Sequence, residues 1–92
     1  MNPKLISYAL ITARTKMGLT RYKMKQEVGV DWRTYKSFEL NPLNKCGVRL
    51  LTTMSKLGVN LIEGKLSLNG KEFTMEGEVI KWGEDSLDYE SD

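Results

Sequence analysis

The sequence contains no histidine and a single cysteine, Cys46. Histidine is the commonest general base and a frequent metal ligand, and one cysteine cannot form a disulfide within the chain. A zinc site would have to rest almost wholly on carboxylates, so we expect no metal and no other cofactor. A nucleophile–base pair and a phosphate-binding glycine loop are also missing. We therefore predict that the protein is not an enzyme.

Long hydrophobic runs are missing as well. No segment approaches the roughly 20 apolar residues that are needed to cross a bilayer. We therefore expect no membrane partner, and the scarcity of cysteine fits the reducing environment of the cytoplasm. The length of 92 residues is enough for one domain with a modest core.

The net charge of +2 hides an uneven distribution of charged residues. Residues 1–62 contain 11 lysines and arginines against three acids, a net charge of +8, and residues 63–92 contain three lysines against nine acids, a net charge of −6. A basic segment of this kind indicates a polyanionic partner, although solvated helix faces would give the same composition. The acids that crowd residues 84–92 predict a disordered tail.

Apolar residues at spacings of three and four predict helices in the first 58 residues. Asn2-Pro3 is a helix-start pair, and Gly18 closes the segment that follows it. Asp31 is a second capping residue, and Pro42 disfavours helix in the residue before it. The predicted helices span residues 3–17, 20–28, 32–40 and about 48–57.

The last third of the chain changes to a strand pattern. Asn69-Gly70 is a strong hairpin signal, because both turn positions require a positive φ. A two-residue turn there places Leu68 opposite Lys71 and separates apolar from polar side chains. A further strand is predicted over about 78–82. The apolar face of the hairpin collects Leu66, Leu68, Phe73 and Met75.

Two interpretations of this apolar face remain open. The face can cover the helical core of the same chain, or it can join the hairpin edge in binding a second copy. One recognition helix covers few base pairs, and a dimer would read two half-sites about 34–36 Å apart. We therefore expect a homodimer, with the same four residues as dimerisation candidates.

Several motifs at fixed spacing identify a family resemblance. They are Gly-Leu-Thr at 18–20, Met24, Gly-Val-Asp at 29–31, Tyr35 and Phe38 followed by Glu39, and Leu-Gly-Val at 57–59. With this pattern, residues 5–60 resemble the lambda-repressor-like (Xre/Cro-type) helix-turn-helix DNA-binding family. The resemblance implies a mainly α fold, in which a four-helix domain over 1–60 precedes a β-hairpin or small antiparallel sheet over 61–83 and the acidic tail over 84–92.

The exposed face of the third predicted helix is the candidate for DNA recognition, because such a helix fits the major groove. The guanidinium of Arg33 can bond O6 and N7 of guanine together. Trp32 has three interpretations: contact with a thymine methyl, stacking on Tyr22 or Arg21, or packing against another protein. The candidate base contacts are Trp32, Arg33, Lys36 and Ser37. The candidate phosphate contacts are Arg21, Tyr22, Lys23, Arg14 and Lys45.

These observations predict a cytoplasmic regulator of transcription that binds specific sequences of double-stranded DNA as a dimer. The resemblance suggests a phage- or prophage-type repressor or a Cro-like protein. The alternative is a helix-turn-helix scaffold reused as an inhibitor or adaptor that binds a host protein. Trp32, the acidic tail and Lys25, which stands where the family prefers a small residue, favour this alternative.

Overall fold

A computed structural model describes residues 2–42 and 47–87 of the chain. The described residues form four helices followed by five strands, and the strands make one antiparallel sheet in their order along the chain. The elements are α1 (Pro3–Lys16), α2 (Met24–Val28), α3 (Trp32–Leu40), α4 (Val48–Lys56), β1 (Val59–Ile62), β2 (Lys65–Leu68), β3 (Lys71–Glu76), β4 (Val79–Trp82) and β5 (Asp85–Leu87). No helix among these residues is long and apolar enough to cross a membrane.

The prediction of a mainly α protein is wrong, because an antiparallel sheet makes up a substantial part of the fold beside the helices. The chain is a small α/β domain in which four helices are combined with an antiparallel sheet. Two-residue turns join all neighbouring strands, with Gly64, Gly70, Gly77 and Gly83 at positive φ. Asn69-Gly70 alone has the composition of a strong turn signal, so the sequence pattern showed one hairpin where the fold has a five-stranded meander.

The prediction of a disordered tail over 84–92 is wrong for its first part. Residues 85–87 form β5, in which Asp85 pairs with Trp82 and Leu87 with Ile80 across the last turn. The Nζ of Lys71 lies 3.8 Å from the Oδ2 of Asp85. Backbone pairing outweighs the acidic composition here, because an edge strand leaves its carboxylates in water. Residues 88–92 lie outside the described residues.

The boundaries of the helices follow their capping residues. The side chain of Asn2 accepts a hydrogen bond of 2.9 Å from the backbone N–H of Lys4, as a helix-start pair requires. The prediction for α3 is confirmed at both ends. The predicted start of the second helix at Thr20 is wrong, because residues 21–23 form turns and α2 begins at Met24.

The apolar face of the β2–β3 hairpin lies in the core of its own chain. Leu66, Leu68 and Phe73 are buried, and Met75 packs against them half-buried. The predicted register is confirmed, with Leu68 opposite Lys71. Burial of one such side chain stabilises the folded state by about 1.5–3 kcal/mol. The helices without the sheet would lose this contribution. The choice of Leu66, Leu68 and Phe73 as dimerisation candidates is therefore wrong, because their side chains are covered by their own chain, and Met75 of the same face is half covered.

Tyr35 joins α3 to α1 through a buried hydrogen bond. Its hydroxyl donates to the carbonyl oxygen of Leu10 at 3.0 Å, and the ring is fully buried. Burial, reinforced by the negative charge of Glu39, raises the pKa of Tyr35 above its usual range. The phenol therefore remains a neutral donor at all physiological pH values.

We expect Tyr35→Phe to lower the free energy of unfolding by about 1 kcal/mol, the usual net value of one buried hydrogen bond. Urea unfolding would measure the change, with Tyr22→Phe as the matched control because Tyr22 is 71% exposed. The raised pKa means that the bond's contribution is complete below about pH 10 and is lost as the pH rises further. Equal stability of the two variants at neutral pH would contradict this assignment.

Candidate nucleic-acid interface

The turn between α2 and α3 sets the angle at which α3 is presented. Gly29 ends α2 in the left-handed conformation, with a φ of 77°, and its N–H donates to the carbonyl oxygen of Lys25. Asp31 then caps α3 by accepting a 2.9 Å hydrogen bond from the N–H of Thr34. That bond holds the pKa of Asp31 below its usual value. The prediction that Asp31 caps the third helix is confirmed.

The inner faces of α2 and α3 hold both helices against the core. Met24, Val28, Tyr35 and Phe38 are buried, as their spacing predicts. Because each helix is fixed by its apolar side, the opposite side of α3 is left towards solvent. Lys25 is exposed as well, so its charge does not enter the contact between the helices.

The outer face of α3 carries the four residues predicted to contact bases. Arg33 and Lys36 are exposed, and Trp32 and Ser37 are partly exposed. No described segment covers the two cations, so both can reach a ligand. The hydroxyl of Ser37 donates to the carbonyl oxygen of Arg33 at 3.2 Å, which leaves the Ser37 oxygen available as an acceptor.

Trp32 forms an aromatic pair with Tyr22. Their ring centroids are 5.2 Å apart and the rings are tilted by 34°. The guanidinium carbon of Arg33 lies 5.4 Å from the centroid of the Trp32 ring, within the range of a cation–π interaction. Of the interpretations of Trp32, contact with Tyr22 is therefore confirmed, with the rings tilted rather than stacked, and contact with DNA or with another protein stays a prediction. The contact with Tyr22 restrains Trp32 at the start of α3. It places the two aromatic rings next to Arg33.

A cleft of about 330 Å³ lies beside this aromatic pair. It separates the entry to α2 from the middle of α3, and its walls provide cations and aromatic rings but no carboxylate. Such a lining suits a polyanion that carries aromatic rings, because the rings can stack on the aromatic side chains while the cations contact its charged groups. The lining residues are Arg14, Thr20, Arg21, Tyr22, Trp32 and Lys36.

Two of the arginines that line the cleft share one buried carboxylate, that of Glu39. The Nε of Arg14 lies 2.8 Å from Oε2 of Glu39, and Arg21 approaches Oε1 with Nη2 at 2.7 Å and Nε at 2.9 Å. The Glu39 side chain is 0% exposed, and the Arg14 and Arg21 side chains are 18% and 24% exposed. This triad joins α1, the entry to α2 and α3 at one point.

The triad changes the interpretation of the two arginines that were predicted to bind phosphates. Arg14 also donates from Nη1 to the carbonyl oxygen of Leu19 at 3.0 Å, so two of its three side-chain nitrogens are engaged within the fold. Arg21 gives two of its three nitrogens to Glu39. Both residues therefore act first as structural cations. Their charge is offset only in part, because two guanidinium groups face one carboxylate.

Arg49 is a candidate site residue that the sequence pattern did not indicate. It lies in the first turn of α4 and lines a second cleft, of about 340 Å³, on the other side of α3. Arg33 and Ser37 line the same cleft. Arg49 is exposed, and the next residue, Leu50, is buried. The position next to an apolar residue of the helix stripe is the one sequence signal that Arg49 faces solvent.

The remaining predicted phosphate contacts are placed as follows. Tyr22 and Lys23 are exposed in the turn that precedes α2. Lys45 lies outside the described residues. Within 2–42 and 47–87, no group of three or more histidine, cysteine and acidic side chains is arranged to hold a metal ion.

The comparisons with known proteins leave this site to be interpreted from its geometry. No family model matches the chain, and neither the search of curated proteins nor the search of solved structures found a match.

Proposed function

We propose that the protein binds duplex DNA by placing the outer face of α3 in the major groove, and that it regulates transcription. The observation that carries this proposal is the exposure of Arg33 and Lys36 on a helix whose opposite face is buried. The resemblance of residues 5–60 to the lambda-repressor-like family supports the same function. On that resemblance we further propose a repressor or Cro-like protein of phage or prophage type.

The dimensions of α3 suit this role. A helix with its side chains is about 10–12 Å in diameter, which matches a major groove about 12 Å wide, and the nine residues of α3 make it about 13 Å long. Arg33 is the second residue of α3, near the end that enters the groove first. Its guanidinium can bond O6 and N7 of guanine together, and Lys36 stands one turn further along the same helix.

Cations on both sides of α3 support binding to the DNA backbone. Lys23 lies on the side of the α2 entry, and Arg49 lies on the side of α4. The two sugar-phosphate backbones of the duplex border the major groove. A helix inserted in the groove therefore needs cations on both of its sides to contact both backbones. Such contacts fix position and orientation, whereas Arg33 and Lys36 would read sequence.

Selection of binding sites from random duplex DNA, followed by a gel shift, tests the proposal. We expect one enriched sequence and a binding constant that falls linearly with salt on a log–log plot. Engagement of three to five phosphates would give a slope of about −2.7 to −4.5, because each neutralised phosphate contributes about −0.9. Absence of any shift at low salt would contradict the proposal.

A second candidate function rests on the aromatic pair. Tyr22 is 71% exposed beside Trp32, and exposed aromatic residues are enriched in protein interfaces. If the protein is instead an inhibitor or adaptor, Trp32→Ala should abolish binding to a host protein while no DNA is bound even at low salt. Loss of DNA affinity in the same variant would favour the first proposal.

A further inference from the structure

The aromatic rings of the cleft between the α2 entry and α3 are not used by the proposed contact with a duplex. Tyr22 is 71% exposed and lines this cleft together with Trp32. The bases of a duplex are stacked on one another and present only their edges in the grooves, so a duplex offers no base face to these rings. The rings therefore suit a ligand whose base is unpaired.

The charges of the cleft match a terminal phosphate group. Three cations line it, Arg14, Arg21 and Lys36, and the buried carboxylate of Glu39 offsets one of them, which leaves a net local charge of +2. A phosphate monoester carries a charge of about −1.5 to −2 at neutral pH, whereas each phosphodiester inside a strand carries one negative charge. The cleft therefore favours a nucleotide with a free phosphate end over the interior of a strand.

Glu39 fixes part of the cationic wall before any ligand binds. Its carboxylate holds Nε and Nη2 of Arg21 at 2.9 and 2.7 Å, and these bonds leave Nη1 as the nitrogen that Glu39 does not engage. Because the guanidinium is already held, it loses little conformational entropy when it binds an anion. Lys36, exposed on α3, lines the same cleft with a flexible side chain. The cleft thus offers one fixed and one adjustable cation to a phosphate.

Size limits the ligand to about one nucleotide. The volume of about 330 Å³ lies at the lower end of the range of ligand pockets, which is about 300–1,000 Å³. The cleft on the other side of α3 has a similar volume, about 340 Å³, and is lined by Arg33 and Arg49. Among the described residues that line it, the one aromatic residue is Phe38, which is only 2% exposed. That second cleft can contact an anion, but it offers no ring on which a base could stack.

We propose that the cleft beside Tyr22 binds a nucleoside monophosphate, either free or at the end of a single strand. The base stacks on the exposed ring of Tyr22 and extends the aromatic pair that this ring forms with Trp32. The phosphate lies between Lys36 and Arg21. Because every base has an aromatic face, stacking of this kind discriminates little between bases.

Lys36 belongs both to this cleft and to the proposed duplex interface. A bound nucleotide places its negative charge where the duplex would lie, so the two ligands should exclude each other. Saturating nucleotide should therefore weaken the gel shift, and an unchanged shift would contradict this exclusion. The exclusion rests on the proposed function, whereas the nucleotide site does not, so the site itself is tested without duplex DNA.

Titration of the full chain with adenosine 5′-monophosphate (AMP), followed by tryptophan fluorescence, tests the proposal. Trp32 lines the cleft and Trp82 is 6% exposed, so quenching by the ligand reports on Trp32. We expect saturable quenching by AMP and much weaker binding of adenosine or inorganic phosphate, since each carries only one of the two recognised groups. A short single strand with a 5′-phosphate distinguishes the two sources: tighter binding than AMP identifies the strand end, and binding no tighter than AMP identifies the free nucleotide.

Substitutions separate the contribution of the ring from that of the charge. Tyr22→Leu should weaken AMP binding at least about fivefold, because it removes the ring on which the base stacks. Tyr22→Phe keeps the ring and should bind AMP like the wild type. Lys36→Ala should weaken AMP binding about tenfold, as expected for a hydrogen bond to a charged group, but should leave the weak binding of adenosine unchanged.

Lys25→Ala is the matched control, because Lys25 is an exposed lysine on α2 that lines neither cleft beside α3. It should bind AMP like the wild type, and circular dichroism should show all variants folded. Absence of saturable quenching would overturn the proposal, as would a folded Tyr22→Leu variant that binds AMP like the wild type. A chain that shifts duplex DNA without binding AMP would refute this inference alone, and a chain that binds AMP without shifting duplex DNA would refute the proposed function alone.

Discussion

Replacing Glu39 with alanine should lower the free energy of unfolding by about 3 kcal/mol. The carboxylate is fully buried and accepts hydrogen bonds from Arg14 and Arg21. Breaking a buried ion pair by removing one partner usually costs 3–5 kcal/mol, because the remaining charge is left without compensation. We take the lower end of that range, since both guanidinium groups retain some contact with water. Urea or guanidinium unfolding would measure the change.

Glu27→Ala provides the matched control, because Glu27 is an exposed glutamate on α2. Its removal should change stability by less than about 0.5 kcal/mol. Glu39→Gln should fall between the two, since an amide oxygen still accepts from one arginine while its NH₂ group faces the other. If Glu39→Ala proved as stable as Glu27→Ala, the triad could not be what joins α1, the turn before α2 and α3.

The double substitution Arg33→Ala, Lys36→Ala should weaken binding to the selected DNA site by about 2–4 kcal/mol, or about 30- to 1000-fold. An arginine that bonds a base at two points is worth about 1–3 kcal/mol, and a lysine at the backbone or a base edge adds to it. Both side chains are exposed, so their removal should leave the melting temperature almost unchanged. The salt slope should change by about one at most, because the slope counts neutralised phosphates and these two side chains are proposed to contact bases.

Lys4→Ala, Lys65→Ala is the charge-matched control. It removes two exposed lysines that line neither of the clefts beside α3. If binding depended on net charge alone, the two double variants would lose affinity equally. A specific role of α3 predicts a much larger loss for the Arg33, Lys36 variant. Equal affinities for the selected site would contradict the proposed recognition helix.

Local sequence signals predicted the turn between α2 and α3 and both ends of α3. Asp31 caps α3 and Gly29 ends α2 because each satisfies backbone groups or φ angles within its own turn. The buried stripe that contains Tyr35 and Phe38 follows from helical spacing alone. The exposure of Arg33 and Lys36 follows from the same spacing, so this part of the candidate site was visible in the sequence.

The roles of Arg14 and Arg21 were not visible in that way. Glu39 is separated from them by 25 and 18 residues, so no local pattern relates the three side chains. Helical spacing does place Glu39 beside Phe38 on the buried side, which was a signal that a partner was needed. The identity of that partner depends on how α1 crosses α3, and this crossing is set by packing.

Short-range chemistry in the sequence determined the start of α1, both ends of α3, the register of the hairpin at Asn69-Gly70 and the cationic side of α3. Tertiary structure alone decided that the hairpin face belongs to the core, that the sheet has five strands, and that Glu39 binds two arginines. Caps, turns and periodic stripes act within a few residues of one another. Burial and ion pairing depend on which elements, far apart in the sequence, pack against each other. Several packing arrangements of the same helices and strands are equally compatible with the local sequence signals.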